Sequence, residues 1–143
     1  MRYLLDASAL VPLIVDCGEA LILRKPRLGM YTTELGVYEA GNALWKLAVL
    51  TKDIAVEDAA ELLSVLQHLI KRRVVELISI HEINLEETVR IAARERMTFY
   101  DASYVVAARM RGLTLVTEDR ELRVKAASYI SVTPYTVFRS RVC

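Results

Sequence analysis

The chain predicts an α/β fold in three layers, a mainly parallel central sheet of about four to five strands with helices on both faces. Two observations carry this prediction. First, short apolar runs suited to buried strands alternate with longer helical stretches from one end to the other, the order that builds parallel βαβ units. Second, the stretch from Thr98 to Asp119 has the dimensions of a helix that returns as a strand. About ten helical steps from Asp101 cover roughly 15 Å, and about five strand steps cover roughly 16 Å back. Asp101 and Asp119 therefore return to one edge of the sheet, although 18 residues separate them.

Taken in order, Arg2 to Leu5 reads as a buried first strand with Asp6 at its C-terminal end. Ala7 to Val15 is a short helix capped by Asp6 or Ser8, with Pro12 tolerated near its first turn. Gly18 to Lys25 forms a second short helix, stopped by Pro26, and Gly29 to Thr32 a second strand. Thr33 or Thr32 then caps a helix from Glu34 to Leu50. Between Leu35 and Leu50 only Glu39 and Lys46 are charged, and a helix apolar nearly all round is buried. That places Glu39 on an interior element, with Asn42 one turn on along the same face.

Val56 to Lys71 is a strong helix whose last turn leads into Lys71-Arg72-Arg73, well matched to the helix dipole. Its apolar arc is wider than one core contact requires. Leu62, Val65 and Leu69 follow one line and Leu63, Leu66 and Ile70 its neighbour, which points to a second covered face, as in a homodimer. A third strand at Val74 to Ile80 and a helix at Leu85 to Arg96 follow. Asp101 then opens an apolar helix that Gly112 stops, and Leu113 to Val116 is the next strand. Arg120 to Ala127 is a last helix and Tyr129 to Val132 a last strand, before Pro134 and a tail to Cys143. With 143 residues, one domain spanning 1–143 is expected.

Composition narrows the function classes. Hydrophobic residues make up 54% and charged residues 26%, so the chain is neither disordered nor membrane-spanning. The run from Ala9 to Val15 is too short to cross a bilayer. Nineteen Lys and Arg against eighteen Asp and Glu do not support a uniformly basic nucleic-acid surface, leaving local patches. Cys17 and Cys143 form no metal or redox motif, two His make a zinc site improbable, and a reducing cytoplasmic setting is the default.

Four carboxylates stand out: Asp6 after strand one, Glu39 on the buried helix, Asp101 at a helix start and Asp119 just past a strand. In open parallel sheets, ligand sites form outside the C-terminal ends of the strands. Anions that share a partly buried site must be protonated or neutralised by a cation. Oxygen donors with neither His nor Cys select Mg²⁺ or Mn²⁺, the usual equipment for phosphoryl transfer. Taken singly, Asp6 and Asp101 suit helix caps and Asp119 a turn, and Lys46 or Asn42 could satisfy Glu39. The joint arrangement is what points to a site, and Ser8 and Thr117 could hydrogen-bond the acids or a metal-bound water, or equally serve as local caps.

These segments resemble PIN domains, and most closely the VapC ribonucleases of toxin–antitoxin pairs. The residues that carry the resemblance are Leu4-Leu5-Asp6-Ala7-Ser8-Ala9-Leu10, Glu39-Ala40-Gly41-Asn42-Ala43-Leu44, Tyr100-Asp101-Ala102-Ser103-Tyr104-Val105-Val106-Ala107-Ala108 and Leu115-Val116-Thr117-Glu118-Asp119. Arg2 to Pro134 is covered. The resemblance implies a PIN-like fold in which Asp6, Glu39, Asp101 and Asp119 hold Mg²⁺ or Mn²⁺, with Ser8, Asn42 and Thr117 in supporting positions. It further implies an endoribonuclease that hydrolyses RNA, a cognate antitoxin that blocks the acidic site, and a homodimer. Arg120 and Arg123, just past Asp119, are the better-placed RNA contacts, whereas Arg109 and Arg111 leave the Asp101 helix at its far end. A haloacid-dehalogenase-type phosphatase needs an Asp where Ser8 stands. A PIN nuclease of RNA processing and a non-catalytic binding module are the remaining alternatives.

Overall fold

Five strands, β1 (Arg2–Leu5), β2 (Gly29–Thr33), β3 (Val75–Ile78), β4 (Thr114–Val116) and β5 (Val132–Thr133), form one all-parallel sheet in the order β3-β2-β1-β4-β5. The computed structural model describes every residue, Met1–Cys143. The chain winds from β1 to β2 to β3 in one direction and then crosses to β4 on the other side of β1. Between β1 and β4 the winding direction reverses, which is where open α/β sheets open a crevice at their C-terminal ends.

Seven α-helices flank the sheet: α1 (Ala7–Leu23), α2 (Glu34–Trp45), α3 (Val56–Lys71), α4 (Leu85–Glu95), α5 (Phe99–Arg111), α6 (Arg120–Ala126) and α7 (Tyr135–Val142). Successive residues of a strand face opposite layers, and β1 divides accordingly. Tyr3 and Leu5 enter a core with Leu10, Leu13, Leu44, Leu66 and Phe138, whereas Leu4 enters a second core with Tyr104, Val105, Leu115 and Leu122. Helix α4 packs on the outer side of α5 through Ile91, Ala102 and Val106.

Several expectations need correction. The two short helices expected before residue 26 are one element, α1, with a break at Cys17 (φ −148°, ψ 18°), so both halves were legible but their continuity was not. The helix from Glu34 widens into a π-helical turn at Lys46–Leu50. It is not the interior element that its composition implied: only Gly36, Ala40 and Leu44 of α2 are buried, while Tyr38 is 79% and Trp45 48% exposed. Apolar composition says how much of a helix could be buried, and here no layer of the chain lies outside α2 to bury it. The last strand sits at Val132–Thr133, later than expected, because Ala127 to Ser131 is consumed in leaving α6.

The tail after Pro134 is a helix. Phe138 of α7 stacks edge-on against Tyr3, Tyr135 donates its hydroxyl to Asp16 Oδ2 (2.8 Å), and Arg139 pairs with the same carboxylate. Cys143 is bonded to Cys17 at the α1 break, closing a separation of 126 residues. Sequence spacing gives the two cysteines no role; the bond is a product of where α7 folds.

Candidate active site

At the switch point the ends of β1 and β4 are stitched together by two hydroxyls. Asp6 follows β1 as the N-cap of α1, and its Oδ1 accepts from the backbone N–H of Ala9 and from Ser8 Oγ (2.6 Å). Ser8 Oγ also accepts from the backbone N–H of Glu118 and lies 3.3 Å from Thr117 Oγ1. Thr117, fully buried after β4, accepts in turn from the backbone N–H of Asp119. Asp119 caps α6 through Leu122 N–H (3.0 Å). Ser8 and Thr117 thus link Asp6 to the turn that carries Asp119.

The other two acids come from helices on opposite faces of the sheet. Glu39, half-buried on α2, accepts a 2.6 Å hydrogen bond from the hydroxyl of Tyr104 on α5. Asp101 stands in the first turn of α5, one turn before Tyr104, with its backbone N–H bonded to the N-cap hydroxyl of Thr98. Helix α5 therefore presents Asp101 to Asp119 across a small cleft and, through Tyr104, reaches Glu39.

Electrostatics link Asp101 to Asp119 and Glu39, and Tyr104 to Glu39 and Asp6. Asp101 is pushed above the usual carboxylate range by burial first, then by the charges of Asp119 and Glu39. Burial also raises Asp6, against the lowering hydrogen bonds of Ser8 and Thr117. The Tyr104 phenol is held neutral by its burial, by its bond to Glu39 and by the neighbouring charges of Glu39 and Asp6. Tyr104 is a residue of this candidate site to which the sequence alone assigns no role. It stood within the Tyr100–Ala108 segment, but a buried phenol facing a carboxylate one layer away is not visible from spacing.

The remaining expected positions separate. Asn42 is exposed on α2. Arg123 donates to the carbonyl of Thr117 (2.6 Å), so it braces the β4 end instead of reaching outward, while Arg120 is exposed at the start of α6. Arg109 pairs with Glu87 and Arg111 with Glu82, away from the acids as their place at the far end of α5 requires.

The donor set can be tested against a hard cation. No three of these side chains already close around a single point. Two reasons are visible: Asp6 and Asp119 each give an oxygen to a helix N-terminus, and Asp101 repels Asp119 and Glu39. The donors are oxygen only, and the like-charge repulsion is what a divalent cation relieves. The residues present fit Mg²⁺ or Mn²⁺ in chemistry, with side-chain adjustment needed to gather them.

No protein-family model matches the chain. Among curated proteins it is 39% identical over 132 residues to Exonuclease VapC9 of Pyrobaculum aerophilum, covering 92% of this chain and 91% of the relative. It is 31% identical over 137 residues to Ribonuclease VapC3 of the same organism, covering 92% and 99%. Its fold superposes on the crystal structure of PAE2754 from Pyrobaculum aerophilum with a TM-score of 0.76 at 34% identity, covering 99% of this chain and 88% of the other. VapBC-1 of nontypeable Haemophilus influenzae has the same fold at 13% identity, with a TM-score of 0.62 over 95% of this chain and 99% of the other. A five-stranded parallel sheet, an acidic crevice at its switch point and near-full-length identity to two named relatives lead to one conclusion: this chain belongs to the VapC family of PIN-domain nucleases.

Proposed function

We propose that this protein is a Mg²⁺- or Mn²⁺-dependent endoribonuclease and the toxin of a toxin–antitoxin pair. The observation that carries the reading is that Asp101 feels both Asp119 and Glu39, three carboxylates from three separate elements, while the buried Asp6 is tied through Ser8 to the turn before Asp119. Asp6, Glu39 and Asp101 would hold the ion, and Asp119 would complete the set. A bound ion of this kind offsets charge on the phosphate and makes water a better nucleophile near neutral pH. The chain's own contribution is placement. Ser8 and the α1 N-terminus fix Asp6, Tyr104 fixes Glu39, and the Thr98 cap fixes the turn that carries Asp101. Neither a Ser/His/Asp nor a Cys/His set is available as an alternative nucleophile, since the two cysteines are bonded to each other.

Asp101→Asn should abolish Mg²⁺-dependent cleavage of single-stranded RNA while circular dichroism remains that of the native fold. Wild-type cleavage rates in the variant would refute the mechanism. One relative is named an exonuclease and the other a ribonuclease, so the mode of attack needs its own substrate. A circular RNA has no end to start from; its cleavage supports endonucleolytic action, and its survival beside degraded linear RNA favours an exonuclease.

Two partners complete the reading. The fold neighbours include VapBC complexes, which supports a cognate antitoxin. Between α2 and α3 lies an apolar cleft of about 690 Å³ that includes Val37, Tyr38, Leu63, Leu66, Ile70 and Leu77. Helix α7 does not cover it, because its contacts are with Tyr3, Asp16 and Cys17 on the other flank. Both apolar lines of α3 pack on the chain's own core, and a second copy seated at the cleft, in a homodimer, would cover the parts of Leu63 and Ile70 that the core leaves open.

A further inference from the structure

Helix α4 ends at Arg96 in the left-handed region (φ 53°, ψ 47°), a C-terminal position where glycine is the usual residue because it carries no Cβ. Lys52 and Arg73 adopt the same conformation, so the backbone angle alone says nothing. Arg96 differs from them in where it stands. With Thr98, Asp101, Asp119, Glu121 and Lys125 it lines a cleft of about 130 Å³ at the acidic site. Its carbonyl accepts from Lys125 Nζ (3.0 Å), and Lys125 is itself held by Glu121 (2.8 Å). The Arg96 backbone is thereby fixed from across the cleft.

Its guanidinium, in contrast, has no hydrogen bond or ion pair within the chain, whereas Arg109, Arg111 and Arg123 are each occupied by an acid or a carbonyl. An unspent guanidinium on a pinned backbone, carried by a residue of a cleft whose carboxylates repel any incoming polyanion, is suited to one ligand chemistry. Its planar fork matches two oxygens of a phosphate diester. We propose that Arg96 is a substrate-positioning residue that binds a phosphodiester group of the nucleic-acid strand on the Asp101–Asp119 side of the site. This inference rests on the nuclease reading above and adds to it a strand contact on α4, an element that carries none of the four acids.

The conformation of Arg96 supplies a discriminating variant. Glycine is better suited to this backbone than arginine, so Arg96→Gly removes the side chain without cost to the fold. Binding of an end-labelled single-stranded RNA by the full chain in EDTA, followed by fluorescence anisotropy across a salt series, measures the contact without turnover. Arg96→Gly should weaken binding about 5–10-fold and flatten the dependence of log K on log[salt] by about 0.7, the value for one phosphate contact on a single strand. Arg96→Lys should restore the salt slope, and the melting temperature of Arg96→Gly should equal or exceed that of the wild type. Unchanged affinity and slope in Arg96→Gly, beside normal RNA cleavage by the wild type, would overturn this assignment and leave the nuclease reading intact. A loss of binding matched by a fall in melting temperature would overturn it too, by showing a structural role. Failure of the wild type to bind or cleave RNA would overturn both.

Discussion

The carboxyl of Asp101 is a group whose ionisation the fold resists, through burial and through the charges of Asp119 and Glu39. Its pKa in the folded chain lies above the ordinary value, so over that interval the folded state holds a proton that the unfolded state has released. Stability from this group is therefore full below the ordinary carboxylate pKa and declines as pH rises through the raised one. At neutral pH the ionised carboxylate is a standing cost, reduced by its partial exposure to solvent. Asp101→Asn should thus raise the melting temperature by about 1–3 °C at pH 7 in EDTA, and the gain should vanish well below the carboxylate range. Saturating Mg²⁺ should stabilise the wild type and not the variant, by the ordinary linkage of ligand to fold. Calorimetry across pH, with and without the ion, checks both; a variant less stable than wild type at pH 7 would contradict the repulsion on which the site rests.

Among the elements, α5 and β4 were the most legible in sequence, because their signals are local. Asp101 marks the first turn, although the helix begins two residues earlier at Phe99 with Thr98 as its cap, Gly112 takes the left-handed stop at φ 63°, and the apolar run after it is the strand. Helix α2 was misread because burial belongs to neighbours and not to composition. Helix α7 was missed for a related reason: Pro134 to Cys143 has a weak helical pattern, and what holds it is Tyr3, Asp16 and Cys17, all at the opposite end of the chain. The same helix touches the site, since the N–H of Tyr135 donates to Glu118 Oε1 (2.6 Å) and the N–H of Glu118 to Ser8. Closing a loop of 126 residues restricts the unfolded chain strongly, by on the order of 4–5 kcal/mol in the chain-entropy treatment. Cys143→Ser should lower the melting temperature by about 10 °C, and reductant should bring the wild type to the same value. Thiol titration of the unreduced, unfolded protein should find no free thiol; equal melting temperatures with and without reductant would rule the bond out.

For the molecule as a whole, the α2–α3 cleft is the surface that a homodimer would bury. Leu66 lies on that side but is only 1% exposed, so a charge placed there would report on folding and not on assembly. Leu63, half-buried at the same cleft, is the better probe. Light scattering at micromolar concentration should give twice the chain mass for the wild type and the single mass for Leu63→Glu, with native circular dichroism in both. A monomeric wild type would remove the homodimer.

The sequence by itself determined the alternation of strands and helices, and it singled out four acids and two hydroxyls as the candidate site. These follow from caps, stops and apolar runs that act within a few residues. It also placed Asp101 and Asp119 at one sheet edge, because the rise of a helix and of a strand are fixed lengths. Only the tertiary structure decided that Tyr104 would hold Glu39, that Arg123 would be spent on a carbonyl while Arg96 stayed free, and that Cys17 would meet Cys143. Each of these joins elements distant in the chain, and a pairing between layers is set by how helices pack on the sheet, which no local spacing encodes.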